Sequence, residues 1–338
     1  MAFPVATGAS TPPIYPAGSA GNGLSGTGYI PEIWSGKLIE KFYASTVLAA
    51  ISNTDYEGEI KAHGDKVHIR TKPTITIRAY SADAALELER PQGNQVILNI
   101  DQGQYFNTIL DDVMKVQSDI NLMSMWSDDA AEQMKIVIDR AVLLAIKDQA
   151  AAANRGTTAG AITGIINLGV TGTPLSLVSQ LAGAGAGDVE VLTMMLRLGM
   201  ALDEQNIPET GRWIVMPTWV AMMVKRSELR QAFLSGDSVS MLRNGRLGMV
   251  DRFTLYTSNL LPFGVAAGLA AGEFIVYAGH AHGLTFASQM TQMETLRSEL
   301  TFGQVMRGLQ VYGYKVLDGT AIAQAIVVKS ATSGAQTT

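Results

Sequence analysis

The sequence predicts an α+β fold, and three observations carry that prediction. A helical rhythm runs from about residue 118 to 153. Strand alternation marks residues 66–100 and returns over the last third of the chain. Between them, short apolar runs are punctuated by glycine and proline turns. The 338 residues suffice for one large or two modest cores. An apolar share of 47% excludes a disordered or fibrous chain. Charged residues make up only 16%, against about 25% in ordinary soluble domains. Such a chain is expected to hide part of its surface against other subunits.

Residues 1–30 are Ala, Gly, Ser, Thr and Pro with few large side chains, which reads as a flexible or extended arm. Gly21, Gly23 and Gly26 have the G-x-G-x-x-G spacing. A dinucleotide site also needs a strand before the glycines and a helix directly after them. Here "YPAGSA" precedes and Pro31 follows, so no such site is expected. From Pro31 the character changes: Ile33, Leu38, Phe42, Val47 and Leu48 fall near helical spacing, predicting a helix within 31–55. Next, Val67 and Ile69, then Ile75 and Ile77, then Val96, Leu98 and Ile100 alternate, predicting a long ribbon. Its tip, "SADAALELERPQGNQ", is charged and expected to be exposed. A two-stranded ribbon has little core of its own and must lean on something.

The helical stretch 118–153 places Trp126, Ala130, Met134, Val137, Ala141 and Leu144 on one face, with Gly156 as its stop. At 1.5 Å per residue this spine would reach roughly 50 Å. "GAGAGD", ending at Asp188, precedes a helix with Val191, Met194, Met195 and Leu198 on its apolar face, and Asp188 is the expected cap. Without a P-loop lysine, and with Asp188 repelling phosphate, this is a surface loop rather than an anion site. A turn at Pro208 and Gly211 leads into strand Trp213–Met216, and Pro217 opens another helix. Phe253–Thr257 is a strand, as are "EFIVYAG", "GLTFAS", "QVMRGLQVYGYKVL" and "AIAQAIVV". The tail from Ser330 is polar.

Chemistry-bearing motifs are scarce. The absence of cysteine excludes disulfides, zinc–thiolate sites and cysteine nucleophiles. The net charge of −5 argues against a dedicated nucleic-acid binder. No signal-peptide pattern opens the chain, and Leu260–Gly272 is too short to cross a bilayer, predicting a soluble protein used in a cytoplasm. Of His63, His68, His280 and His282, the last two form a His-x-His pair, but no third ligand stands at a recognisable spacing. Asp111-Asp112 and Asp128-Asp129 are expected to open helical turns, where the helix dipole favours negative charge. Lys225, Arg226, Arg230, Arg243, Arg246 and Arg252 form a modest basic patch suited to interfacial salt bridges. No catalytic, cofactor-binding or metal residue is expected. Arm, ribbon and spine are devices for engaging neighbours.

Taken in order, the uncharged arm, "YIPEIWS", "GDKVHI", the hairpin, the spine, "RWIVMP", "LGMVDRFTLYTSNLLP" and "LQVYGYKVLDGTAIA" resemble the major capsid (coat) proteins of tailed bacteriophages, which share the Hong Kong 97-like fold. The resemblance spans about Tyr29 to Val328. It implies an N-terminal arm (1–30), a linking helix (31–55), an extended loop over the adjacent subunit (56–105) and a peripheral domain with the spine (106–159 and 266–330). An axial domain (160–265) and a flexible tail (331–338) complete the chain. It further implies a non-enzymatic subunit without cofactors that assembles into the hexamers and pentamers of an icosahedral head around double-stranded DNA. The partners implied are copies of itself, a separate scaffolding protein, a portal and a decoration protein, with assembly in the host cytoplasm. In the founding member a loop lysine is cross-linked to an asparagine. Lys61, Lys66 and Lys72 are available here, but no asparagine follows Asn259, so contacts alone are expected to hold the shell. Expected interface residues are Arg78, Glu87, Glu89 and Arg90 on the ribbon, with Arg226 and Arg230. The competing readings are an encapsulin-like compartment shell and a small-molecule enzyme using the glycine loop 183–188.

Overall fold

The computed structural model describes residues 43–44, 46–55, 66–73, 75–80, 85, 88–118, 121–180, 185–227, 249–299 and 301–330. All belong to one unit, Phe42–Thr338. The arm 1–30 with its glycines, residues 31–42, Lys61, His63, Glu87, Arg230, Arg243, Arg246 and the tail 331–338 lie outside the described residues.

Of the helix expected within 31–55, the described part is the single turn Leu48–Ile51 (α1). Lys66–Arg70 (β1) and Gln95–Asn99 (β2) pair antiparallel, with Lys66 opposite Asn99 and Arg70 opposite Gln95. The pairing ends one hydrogen bond later, Thr71 N–H to Asn94 O at 2.9 Å. The alternation at Ile75 and Ile77 forms no ladder among the described residues, and both side chains are exposed. Leu98 and Ile100 instead bury themselves on Ala287, which is where the ribbon leans. Gly313 permits the close crossing, because a Cβ there would collide with the Asn99 carbonyl.

Gln102–Asp111 (β3) is a strand that the sequence pattern did not mark, and Asp111 then caps Asp112–Gln117 (α2) by accepting from Val113 N–H at 3.4 Å. The spine, Leu122–Ala145 (α3), is shorter than its signal, 24 residues or roughly 36 Å. Asn121 caps its start, so Asp128 and Asp129 sit well inside the helix rather than opening it. The helix stops where tertiary partners take over its end. Asp148 adopts φ +61°, its N–H donates to Gln324 Oε1 at 2.8 Å, and Lys147 donates to the carbonyls of Ala267 and Gly268. The alanine-rich end forms a 3-10 turn, Ala152–Asn154. The buried stripe is Ile138, Asp139, Val142 and Leu143, whereas Val137 and Leu144 are exposed. Ile136, Val137 and Ile138 are all apolar, so hydropathy alone leaves the helix phase open there.

Leu175–Val178 (β4), Val189–Glu190 (β5), Val191–Glu204 (α4), Arg212–Met216 (β6), Thr218–Arg226 (α5), Met249–Val250 (β7), Phe253–Thr257 (β8) and Phe274–His280 (β9) follow. Leu284–Arg297 (β10), Gly303–Val316 (β11) and Ile322–Lys329 (β12) complete the described chain. Strands β10, β11 and β3 form a three-stranded antiparallel sheet in that order. The larger sheet has seven strands in the order β5-β4-β12-β9-β6-β8-β7. Thus "EFIVYAG" and "AIAQAIVV", within a block expected to belong with the spine, are hydrogen-bonded into the sheet of residues 160–265.

Period-two alternation divides the seven-stranded sheet between two cores. Ile214, Met216, Val276, Ala278, Ala323, Ala325 and Val327 face α4 and α5. Trp213, Val215, Ile275, Tyr277, Ile322 and Ile326 face α3 and α1. Because both faces are covered, β6 reads as an unbroken buried run, R-W-I-V-M. Tyr277 fastens the second layer by donating its hydroxyl to Leu143 O at 3.0 Å.

Candidate subunit interfaces

The residue types that could carry catalysis are placed for structure. His280 closes β9 and accepts the His282 N–H at Nδ1, 3.1 Å away. Burial pushes the His280 pKa down, and the neighbouring His282 and Arg212 push the same way. Among the described residues no group of three or more His, Asp or Glu could hold a metal ion. His68 lies exposed on the ribbon, with Nδ1 3.0 Å from Gln95 Oε1. Asp188 does not cap α4, whose N-cap position is Glu190. Its carboxylate accepts from Ser176 Oγ at 2.6 Å, Ser330 Oγ at 2.8 Å and Gly185 N–H at 2.8 Å, tying β4 to the end of β12. The Ser176 bond, foremost, lowers its pKa.

The expected charged interface residues are only partly at liberty. On the ribbon, Arg78, Glu89 and Arg90 are all exposed. Glu89 is engaged within the ribbon, accepting from Thr76 N–H at 3.2 Å and Thr76 Oγ at 3.4 Å. Arg226 is exposed in the last turn of α5, where a cation suits the helix dipole. Arg252, grouped with the basic patch, is held internally by Asp203 at 2.9 Å and Glu209 at 2.7 Å. Beside it Arg212 is fully buried, 2.7 Å from Asp203 and bonded to the carbonyls of Ile207 and Pro208. Burial pushes the Asp203 pKa up, but the two guanidiniums outweigh it and the net shift is downward. Nothing in the local pattern marked Arg212, since it opens an apolar strand. Asp139 was legible only as a carboxylate inside an apolar stripe. It is buried and accepts the Val47 N–H at 2.9 Å, joining α1 to α3.

Apolar exposure is where the surface departs from that of a self-contained protein. Ile75, Ile77, Tyr80 and Leu88 stand out along the ribbon, Ile77 and Leu88 at 90% and 98% exposure. On the three-stranded sheet, α3 covers the face carrying Met306. The opposite face carries the exposed side chains of Tyr105 beside Leu309 and of Ile109 beside Val305 and Leu296, with Asn107 beside Arg307 and Glu294 between them. Arg307 and Glu294 form an ion pair across that face. Val113 and Val116 on α2, and Phe302 in the β10–β11 turn, are also exposed. Exposed apolar side chains gathered in this way mark contact with other molecules rather than with water.

The sequence profile described as phage capsid protein matches residues 98–325. No curated protein matches the chain. Among solved structures, the chain is similar to one from Mycobacterium phage Che8, at 24% identity and a TM-score of 0.69, covering 88% of this chain and 97% of that one. It is similar to the capsid structure of the cyanophage P-SCSP1u, at 15% identity and a TM-score of 0.68, covering 95% and 100%. A third likeness is to the capsid of Ralstonia phage GP4, at 12% identity and a TM-score of 0.61, covering 95% and 99%. The expected α+β, Hong Kong 97-like fold is the fold these structures share with the chain.

Proposed function

From the premise that the chain belongs to the phage capsid protein family, we propose that this capsid shell subunit assembles into the hexamers and pentamers of an icosahedral head that encloses double-stranded DNA. The observation that carries the reading is the extent of the family match. It runs from the base of the ribbon into β12, and so takes in the long sheet, the spine and most of the seven-stranded sheet together. The subunit is a structural protein, not an enzyme, and a component of the virion. Exposed apolar surface on the ribbon, α2 and the three-stranded sheet supplies many modest contacts, which sum over many copies. Individually weak contacts let wrongly placed subunits leave before the shell closes. The net charge of −5 suits a wall that confines DNA without gripping it. The same reading carries a separate scaffolding protein, a portal, a decoration protein and assembly in the host cytoplasm.

Negative-stain electron microscopy of the purified protein, paired with light scattering on a sizing column, tests the proposal. Closed shells, or discrete pentamers and hexamers, are the expected result. A monomer or dimer that never assembles, with or without scaffold, overturns it.

A further inference from the structure

We propose that the corner formed by α2 and the β10–β11 turn docks on the same corner of a second copy of this chain. The proposal rests on the reading of the chain as a shell subunit.

The corner is built on a helix without a core. α2 reads D-V-M-K-V-Q and buries none of its residues. A helix this short has little stability of its own in water, so it is held by its attachments. Asp111 caps it through the Val113 N–H, Asp112 N–H donates to Phe302 O at 3.2 Å, and Lys115 Nζ donates to Gln304 Oε1 at 3.1 Å. The Arg297 guanidinium adds an ion pair to Asp112 at 3.1 Å. These bonds fix α2 to the end of β3 and to the β10–β11 hairpin, and none of them uses its apolar side chains. Val113, Met114 and Val116 are left in the open with Phe302, Val116 at 84% and Phe302 at 82% exposure. None of the four belongs to a buried cluster of the subunit. A patch fixed in this way meets a partner with little further ordering.

Charge identifies that partner. Around the apolar centre stand Asp112, Lys115, Arg297 and Glu299, two of each sign, so the corner is locally neutral although the chain carries −5. Asp112 and Arg297 satisfy one another. Lys115 and Glu299 are both exposed, and among the described residues neither has an ion-pair partner in its own chain. An unmatched cation and an unmatched carboxylate on one patch make that patch self-complementary. Where the patch meets its own copy about a symmetry axis, Lys115 of one copy faces Glu299 of the other. An apolar centre inside a charged rim is also the ordinary anatomy of a protein interface. Other apolar surfaces lack such a selector. The groove between α3 and β10, lined by Met123, Met293 and Met306, has Glu294 as its one charged residue, and Glu294 is already paired with Arg307. The same pair occupies the sheet face that carries Tyr105 and Ile109.

Lys115→Glu and Glu299→Lys, made singly, should each cut the yield of particles counted by electron microscopy about fivefold. The double swap Lys115→Glu with Glu299→Lys should restore it. Mixing the two single variants before assembly should restore it as well, because each carries the charge that the other lacks. Mixing keeps the test decisive even where one variant loses stability, since only a contact between copies is rescued that way. Independently, Val116→Asp with Phe302→Asp should cut the yield about tenfold or more, with the subunit's circular dichroism and melting temperature unchanged. Full yield from the single variants, no rescue by the double swap or by mixing, or full yield from the charged centre overturns the corner contact and leaves the shell reading intact. If the unaltered protein makes neither rings nor shells, the shell reading fails and the contact with it.

Discussion

The seven-stranded sheet has helices on both faces, α4 and α5 on one and α3 with α1 on the other, and its strands β4, β12, β9 and β6 are largely buried. The three-stranded sheet has α3 on one face and exposed Tyr105, Ile109, Leu296 and Leu309 on the other, and the ribbon that leans on it carries Ile75, Ile77 and Leu88 into solvent. The first region completes itself within one chain; the second is half of something. Stability and assembly are thereby assigned to different parts of the molecule, and substitutions should separate them.

The largest stability effect should come from the completed region. Leu198 is fully buried on α4, and Leu198→Ala should cost about 2–5 kcal/mol through lost burial and the cavity left behind. Denaturant unfolding of the unassembled subunit measures it, and a smaller loss would mean that this core is looser than it looks. Next comes Asp139, which is buried where the spine meets α1. Burial pushes its pKa above the ordinary 3.8, against the opposing pull of the Val47 and Leu48 N–H groups. A group whose folded pKa is raised contributes stability below its unfolded value and loses it as pH climbs through the folded value. The wild type should therefore lose stability relative to Asp139→Asn as pH rises from about 4. Parallel stability curves for the two proteins would show that the carboxyl does not titrate differently on folding.

The unfinished region should respond the other way round. Tyr105→Asp lies on the exposed sheet face and should change subunit stability by no more than about 0.5 kcal/mol, while lowering the yield of particles counted by electron microscopy. Loss of stability instead would place Tyr105 in the subunit's own packing. The smallest effect is expected at the exposed ribbon residue Arg90: Arg90→Glu should leave the melting temperature alone and reduce particle yield modestly, less so at high salt. Normal yield at low salt would remove Arg90 from the interface.

What the sequence determined by itself were the elements whose signals are local. Strand Trp213–Met216 lies between a proline–glycine turn and Pro217, and the structure places β6 over Arg212–Met216. Strand Phe253–Thr257 and the α4 face of Val191, Met194, Met195 and Leu198 likewise follow from punctuation and period. Only the tertiary structure decided the features that depend on distant partners. Gln324 and the carbonyls of Ala267 and Gly268 end the spine at Ala145. The sheet selects Ile138 over Val137 as the buried side of α3. Ser176 and Ser330 draw Asp188 away from the helix start, and β9 and β12 join strands far from them in sequence. Helix period and turn chemistry act over a few residues and are written in composition. Sheet partnership, helix phase amid an all-apolar stretch and the destination of a carboxylate depend on which surfaces arrive beside them, and only the folded chain brings those together.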